Sequence, residues 1–218
     1  MKVIVFEGID GCGKKTQARL LIEFLRGQGK RVCHLDFPAY DSPSSSLVKM
    51  YLNGEFGENA AAINAYSASS FYAVDRVATF AKVNLADFDY VICDRYTTSN
   101  AIHQASKLEN GARDEFLHWL FDYEHNLLGI PRPDKVILLD VNPATAKKIS
   151  AGRALKSGKE RDIHESDFGY LQKCYECAIA CAAEFGWQMI NCEKAGEILP
   201  TEDIHVQIIK SLQMEGLL

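Results

Sequence analysis

No stretch of this chain approaches the roughly 20 consecutive apolar residues that a membrane-crossing helix needs. The first apolar run, Val3 to Phe6, turns at Gly8, too soon for the apolar segment of a secretory leader. With neither feature, the expectation is a cytoplasmic protein without a membrane partner. Positive charge is also scarce. Lys and Arg number 24 against 29 Asp and Glu, a formal net charge of -5. The surface therefore carries no general electrostatic footprint for nucleic acid, and any phosphate binding must be local. No internal repeat and no linker interrupts the 218 residues, about the length of one large domain, and one domain is expected.

Cysteine is present in an odd number, 7, in a chain long enough to need no covalent staples, which fits thiols in a reducing compartment. Cys174, Cys177 and Cys181 share one face of a helical pattern. The rest of that face is Leu171, Ala178 and Ala182, and the second CxxC pair of a zinc site is missing, so these thiols read as small buried hydrophobes rather than ligands.

What the chain does have is an alternation. Five apolar runs with strand character, KVIVFE from Lys2, RVCHLDF from Arg31, YVICDR from Tyr90, KVILLDV from Lys135 and WQMINC from Trp187, are separated by helical patterns. The helical patterns cover 14–28, 45–52, 63–86, 111–127, 143–151, 167–185 and 202–213, with Phe71, Val74 and Val77 spaced for burial in the third. Strands apolar almost end to end, joined through helices, predict an α/β fold: a doubly wound, five-stranded parallel sheet covered on both faces. Ligands of such sheets lie beyond the carboxyl ends of the strands, which places Glu7, Phe37, Asp94 and Asp140 at the border of the site. The polar, charged stretch 153–167 reads as a mobile surface segment.

Directly after the first strand comes GIDGCGKKT: Gly8, Ile9, Asp10, Gly11, Cys12, Gly13, Lys14, Lys15 and Thr16. A glycine-rich turn between a strand and a helix points backbone N–H groups at a phosphate chain, the helix N-terminus adds partial positive charge, and Lys14 reaches the β- and γ-phosphates. This is the signature of a P-loop NTPase fold that binds ATP. The position after Lys14, ordinarily Ser or Thr on Mg²⁺, is Lys15. Three readings follow: Thr16 shifts into the role, carboxylates and waters hold the metal, or the chain binds nucleotide without catalysis.

Further segments are FPAYDSP from Phe37, FYAVDR from Phe71, DRYTTSNAIHQ from Asp94, PRPDKVILLDV from Pro131 and ERDIHE from Glu160. With FEGIDGCGKKTQ, in that order and over nearly the whole chain, they resemble the thymidylate kinases, a family of P-loop nucleoside-monophosphate kinases. Tyr72 and Arg76 lie one helical turn apart, so an aromatic face and a guanidinium point the same way. The resemblance implies that this pair stacks on a thymine and bonds its carbonyl, whereas periodicity alone also allows Tyr72 in the core and Arg76 paired with Asp75 or another neighbour.

The resemblance further implies that Arg95 contacts the acceptor phosphate, with Asp94 orienting it or a metal-bound water; an ordinary Asp–Arg ion pair is the alternative. Asn100 and Gln104 match polar contacts to the base. His103 stands where many relatives carry a tyrosine near the sugar, and Phe37, Pro38 and Tyr40 match the segment bordering the acceptor. Asp10 faces the acceptor or, with Glu165 and Thr16, a Mg²⁺ ion. A lid at about 152–167 would bring Arg161, or Arg153, over the phosphates, unless that run is simply solvated. A homodimer is also implied, and the aromatic run EFLHWLFDY from Glu115 suits an interface as well as it suits a core.

The activity implied is transfer of the γ-phosphoryl group of ATP to thymidine monophosphate with Mg²⁺, with Lys14, Arg95 and Arg161 carrying most of the charge stabilisation. Two rivals stand beside it: a kinase of the same fold with another acceptor, and a catalytically silent nucleotide-binding protein.

Overall fold

The structure, a computed structural model, describes residues 1–57, 59, 61–157 and 168–218, with 110 and 151–157 given by backbone alone. Five strands, β1 (Lys2–Glu7), β2 (Val32–Asp36), β3 (Tyr90–Asp94), β4 (Lys135–Asp140) and β5 (Gln188–Asn191), form one parallel sheet in the order β2-β3-β1-β4-β5. The central strand is apolar on both faces because both are covered: Val3, Ile4, Val5 and Phe6 are all buried, as are Val91 to Cys93 and Val136 to Leu139 in its neighbours.

The order places a topological switch at β1. The chain leaves β1 for β2 on one side, whereas it leaves β3 for β4 on the other, so a crevice opens beyond the carboxyl ends of β1 and β3. The strand ends are level there, with Phe6 and Asp36 both paired in register with Asp94.

Helices α1 (Lys14–Gly27), α2 (Ser46–Leu52), α3 (Ala65–Phe80), α4 (Thr97–His103), α5 (Asn110–Phe121), α6 (Pro143–Ser157), α7 (Phe168–Phe185) and α8 (Thr201–Met214) surround the sheet. Each predicted helical pattern is found, with changed ends. The third stops at Phe80 rather than running to 86, and α5 ends at Phe121 in a single π turn, Asp122–Leu127. A two-stranded hairpin, β6 (Glu193–Lys194) with β7 (Glu197–Ile198), has no counterpart among the predicted elements.

One expectation of burial is overturned. Val74 and Val77 point outward, 51% and 37% exposed, because α3 buries small and polar residues instead: Ala65, Ala68, Ser69, Ala73, Asp75 and Arg76. The cysteines of α7 are buried against α4, where the thiols of Cys177 and Cys181 both donate to the carbonyl of Ala101. All seven cysteines are unpaired thiols.

Tyr96, fully buried, joins the start of α4 to the segment before β4 by donating its phenolic hydrogen to Pro131 O at 2.8 Å. Removing that hydroxyl leaves a carbonyl without its donor. Tyr96→Phe is expected to cost about 1–2 kcal/mol of stability, seen as a lower denaturation midpoint at unchanged slope.

Candidate active site

The loop between β1 and α1 owes its path to three glycines in the left-handed half of backbone space: φ is +140° at Gly8, +90° at Gly11 and +98° at Gly13. A Cβ at Gly8 would lie 2.7 Å from Cys12 Sγ and 2.9 Å from Leu139 O, and one at Gly11 would lie 2.6 Å from Ala146 O. At Gly13 a Cβ would meet nothing within 4 Å. The loop is thus packed at its base and has room at the N-terminus of α1, where a polyphosphate belongs.

Lys14 is buried, and its ammonium donates to the carbonyls of Gly8 at 2.9 Å and Ile9 at 3.1 Å, with Cys12 Sγ at 3.8 Å. It is a cation bent over the loop, with no carboxylate among its partners in the described residues, a favourable setting for an anion. Lys15 turns away from the loop: its side chain is 82% exposed, 3.9 Å from Asp36 Oδ2. Thr16, one residue on, is half-buried on the first turn of α1.

Beyond β3, Arg95 adopts φ +67°, a left-handed conformation unusual for a residue with a side chain. Its partner in ion pairing is Asp10 of the glycine loop, through Nη2 and Oδ1, rather than the adjacent Asp94. Arg95 Nη1 lies 3.1 Å from His103 Nε2 and 3.4 Å from Ser99 Oγ. Burial alone would lower the pKa of Arg95, but the charges of Asp10, Glu7 and Asp94 outweigh it and raise the value. The carboxylate of Asp94 makes no side-chain hydrogen bond among the described residues.

Glu7, the last residue of β1, is fully buried and accepts from the N–H of Tyr96 and the hydroxyls of Thr98 and Ser99. Burial raises its pKa, while Arg95, the Thr98 hydroxyl and Lys14 act in the opposite sense. The charges of the loop lysine and of Arg95 are therefore both felt at one carboxylate.

On the acceptor side, Arg76 is 1% exposed and committed to a carboxylate that the sequence reading did not single out. Its Nε and Nη2 donate to the two oxygens of Glu124, at 2.6 and 2.5 Å, and Nη1 donates to Tyr96 O at 3.3 Å. Glu124, fully buried in the π turn, also accepts from the Thr97 hydroxyl at 2.6 Å and from Asn100 Nδ2 at 3.3 Å. Asp75 does not pair with Arg76. Its oxygens accept from the N–H of Ala39 at 2.8 Å and the hydroxyl of Ser44 at 2.5 Å, and so hold the segment after β2.

That segment carries Phe37, whose ring is buried against Phe80 and Tyr96 at 6.0 and 5.9 Å, followed by a cis peptide to the buried Pro38. Tyr40, two residues beyond the cis peptide, is 49% exposed. Tyr72 is half-buried against the cluster of Val48, Tyr51, Leu52 and Ala68. Gln104, at the C-terminus of α4, is 1% exposed, yet neither its amide oxygen nor its nitrogen has a hydrogen-bond partner among the described residues. Arg161 and Glu165 lie outside the described residues, and Arg153 belongs to α6 by backbone alone.

The structure therefore brings Lys14, Asp10, Arg95, Ser99 and His103 to the β1–β3 crevice and commits Arg76 and Asn100 to Glu124. Glu7 was legible as a residue at a strand end. Glu124 had no such signal, being one acidic residue near the end of the helical pattern 111–127.

A model of the thymidylate kinase family matches residues 6–206. A thymidylate kinase of Mycobacterium tuberculosis is 33% identical over 189 residues, covering 85% of this chain and 87% of that protein. One of Plasmodium falciparum is 30% identical over 212 residues, covering 97% of this chain and 89% of that protein. Among solved structures, the thymidylate kinase of Candida albicans superposes with a TM-score of 0.72 over 99% of this chain and 92% of that one; at 18% identity, this likeness speaks to the fold.

Truncating Glu124 would leave a guanidinium buried without its counter-charge. Glu124→Ala is expected to lower the free energy of unfolding by about 3–5 kcal/mol, measured by guanidinium unfolding; an unchanged midpoint would show that the pair is not the anchor its geometry indicates.

Proposed function

The chain belongs to the thymidylate kinase family, and from that premise we propose that it transfers the γ-phosphoryl group of ATP to thymidine monophosphate, giving ADP and thymidine diphosphate. The observation that carries the reading is the meeting of two cations at the switch point: Lys14 in a glycine loop with room at Gly13, and Arg95 at the end of the neighbouring strand, both acting on Glu7. Phosphoryl transfer asks for positioning and charge neutralisation more than for covalent help. Two cations, one at the start of α1 beyond β1 and one directly after β3, supply both.

In this reading the amides of the loop from Gly8 to Thr16 and the ammonium of Lys14 hold the β- and γ-phosphates. Arg95 has five N–H groups, and its contacts to Asp10, His103 and Ser99 leave Nε–H and one Nη2–H for the oxygens of the acceptor phosphate. Tyr72 offers a ring on which the base stacks. Gln104, with one donor and one acceptor unspent in a buried place, suits the edge of a thymine, which presents N–H beside C=O. Arg76 is held by Glu124 beneath that pocket with two N–H groups left over. Phe37, Pro38 and Tyr40 border the acceptor.

Oxygen ligands suited to Mg²⁺ are at hand in the Thr16 hydroxyl and the carboxylates of Asp94 and Asp10. The ion, bound with ATP, would neutralise charge on the phosphates. Lys15 is turned out to Asp36, so its charge does not occupy the loop, and Thr16 is the hydroxyl nearest to that position. Arg161, Arg153 and Glu165 keep the roles the resemblance gives them in a lid over 152–167.

We also propose a homodimer. Tyr66, Val74 and Val77 are exposed on α3, and Tyr66 meets Trp119 of α5 at 4.7 Å with Tyr123 stacked beyond; an apolar, aromatic face of this kind suits a partner subunit. No helix among the described residues is long and apolar enough to cross a membrane, and the cytoplasm is the proposed compartment.

Two measurements test the reading. ADP release from MgATP is expected to be stimulated by thymidine monophosphate above other monophosphates and nucleosides, and to be lost in Lys14→Ala; ATP binding with no stimulation by any acceptor would contradict it. Gln104→Leu is expected to raise KM for thymidine monophosphate about tenfold, the worth of a buried hydrogen bond left unmade, with KM for ATP unchanged.

A further inference from the structure

The guanidinium of Arg95 is gripped at both of its η nitrogens, and only one grip is ionic. Nη2 donates to Asp10, whereas Nη1 meets an imidazole nitrogen, His103 Nε2, at 3.1 Å. A guanidinium has donors and no acceptor, so Nε2 must present its lone pair, and the ring takes the form with its hydrogen on Nδ1. His103 ends α4 two turns beyond Arg95, 7% exposed. Its backbone is pinned: the carbonyl accepts from the hydroxyl of Tyr170 on α7 at 2.7 Å and from that of Ser106 at 3.0 Å, and the rings of His103 and Tyr170 lie 6.4 Å apart. Arg95 itself starts from a left-handed φ of +67°, a conformation that lasts only where the surroundings enforce it.

We propose that His103 is a positioning residue for the acceptor: as a hydrogen-bond acceptor at Nε2 it fixes the rotation of the Arg95 fork, with Asp10 at the other end, so that Nε–H and the second Nη2–H face the acceptor phosphate. Without His103 the guanidinium keeps its ion pair with Asp10 and a long contact from Nη1 to Ser99 Oγ at 3.4 Å, too weak a hold to stop it pivoting about Asp10. A second contact on the far nitrogen removes the pivot, and the fork meets the phosphate already oriented. The inference rests on the reading that Arg95 binds the acceptor phosphate.

The test uses three variants of the full chain, assayed with MgATP and thymidine monophosphate. Glutamine at 103 carries an amide oxygen about as far out as Nε2. Asparagine reaches only to the place of Nδ1, and leucine fills the space with no acceptor. His103→Gln is expected to stay within about threefold of the parent in KM for thymidine monophosphate, while His103→Asn and His103→Leu raise it about tenfold or more, the worth of a hydrogen bond to a charged group. KM for ATP is unchanged in all three. If one acceptor-less variant fails to fold, the other supplies the same comparison with His103→Gln. Equal effects in the glutamine variant and the acceptor-less variants would overturn the inference, since packing alone would then explain the residue. Arg95→Gln separates the premise: an unchanged KM for thymidine monophosphate there would remove the acceptor-phosphate reading itself, whatever the His103 series shows.

Discussion

A carboxylate with no access to water sets the distance between the two halves of this site. Glu7 ends β1 and is followed at once by the glycine loop, so its position is that of the nucleotide-binding half. Its oxygens are spent on the other half, on the N–H of Tyr96 and the hydroxyls of Thr98 and Ser99 at the start of α4. Tyr96 precedes that helix and has no side chain able to cap it, so the acceptor comes from another element. Burying Glu7 is costly, as its raised pKa records, and the hydroxyls and the nearby charges of Arg95 and Lys14 offset the cost. Moving any one of these groups disturbs the others, so the root of the glycine loop and the start of α4 are mechanically one object.

A second buried carboxylate ties α3 to α4, as Glu7 ties the end of β1 to the start of α4. Glu124, buried in the π turn, gathers Arg76 from α3 and Thr97 and Asn100 from α4. Asp75, next to Arg76 but on the opposite duty, holds the segment that carries Tyr40. Two adjacent charged residues on one helix thus tie down two different walls. Neither is on the surface, and each is matched by partners of the right kind, as buried polar groups must be.

The sheet was legible in the sequence because each strand is buried on both faces, which makes the apolar runs continuous. The glycine loop was legible because its spacing has one physical use. Side-chain pairing was not. Arg95 and Asp10 are 85 residues apart, Ser99 and Glu7 are 92 apart, and Arg76 and Glu124 are 48 apart, distances over which local pattern carries no information. The outward Val74 and Val77 misled for a related reason: periodicity counts apolar residues as inward, and α3 buries alanines and a paired arginine. Arg76, to which the resemblance gives the base edge, has three of its five N–H groups on Glu124 and Tyr96 O. Lys15, a departure in the motif, is a surface residue whose side chain turns toward Asp36.

In the proposed reaction the acceptor phosphate is received by the Arg95 fork between Asp10 and His103, opposite the loop that holds ATP. A crystal structure with thymidine monophosphate and a non-hydrolysable ATP analogue tests it directly. The account predicts phosphate oxygens within hydrogen-bond distance of Arg95 Nε and Nη2, with Nη1 still on His103 and the analogue's phosphates on Lys14. An acceptor phosphate bound elsewhere, with Arg95 still confined to Asp10 and His103, would contradict it.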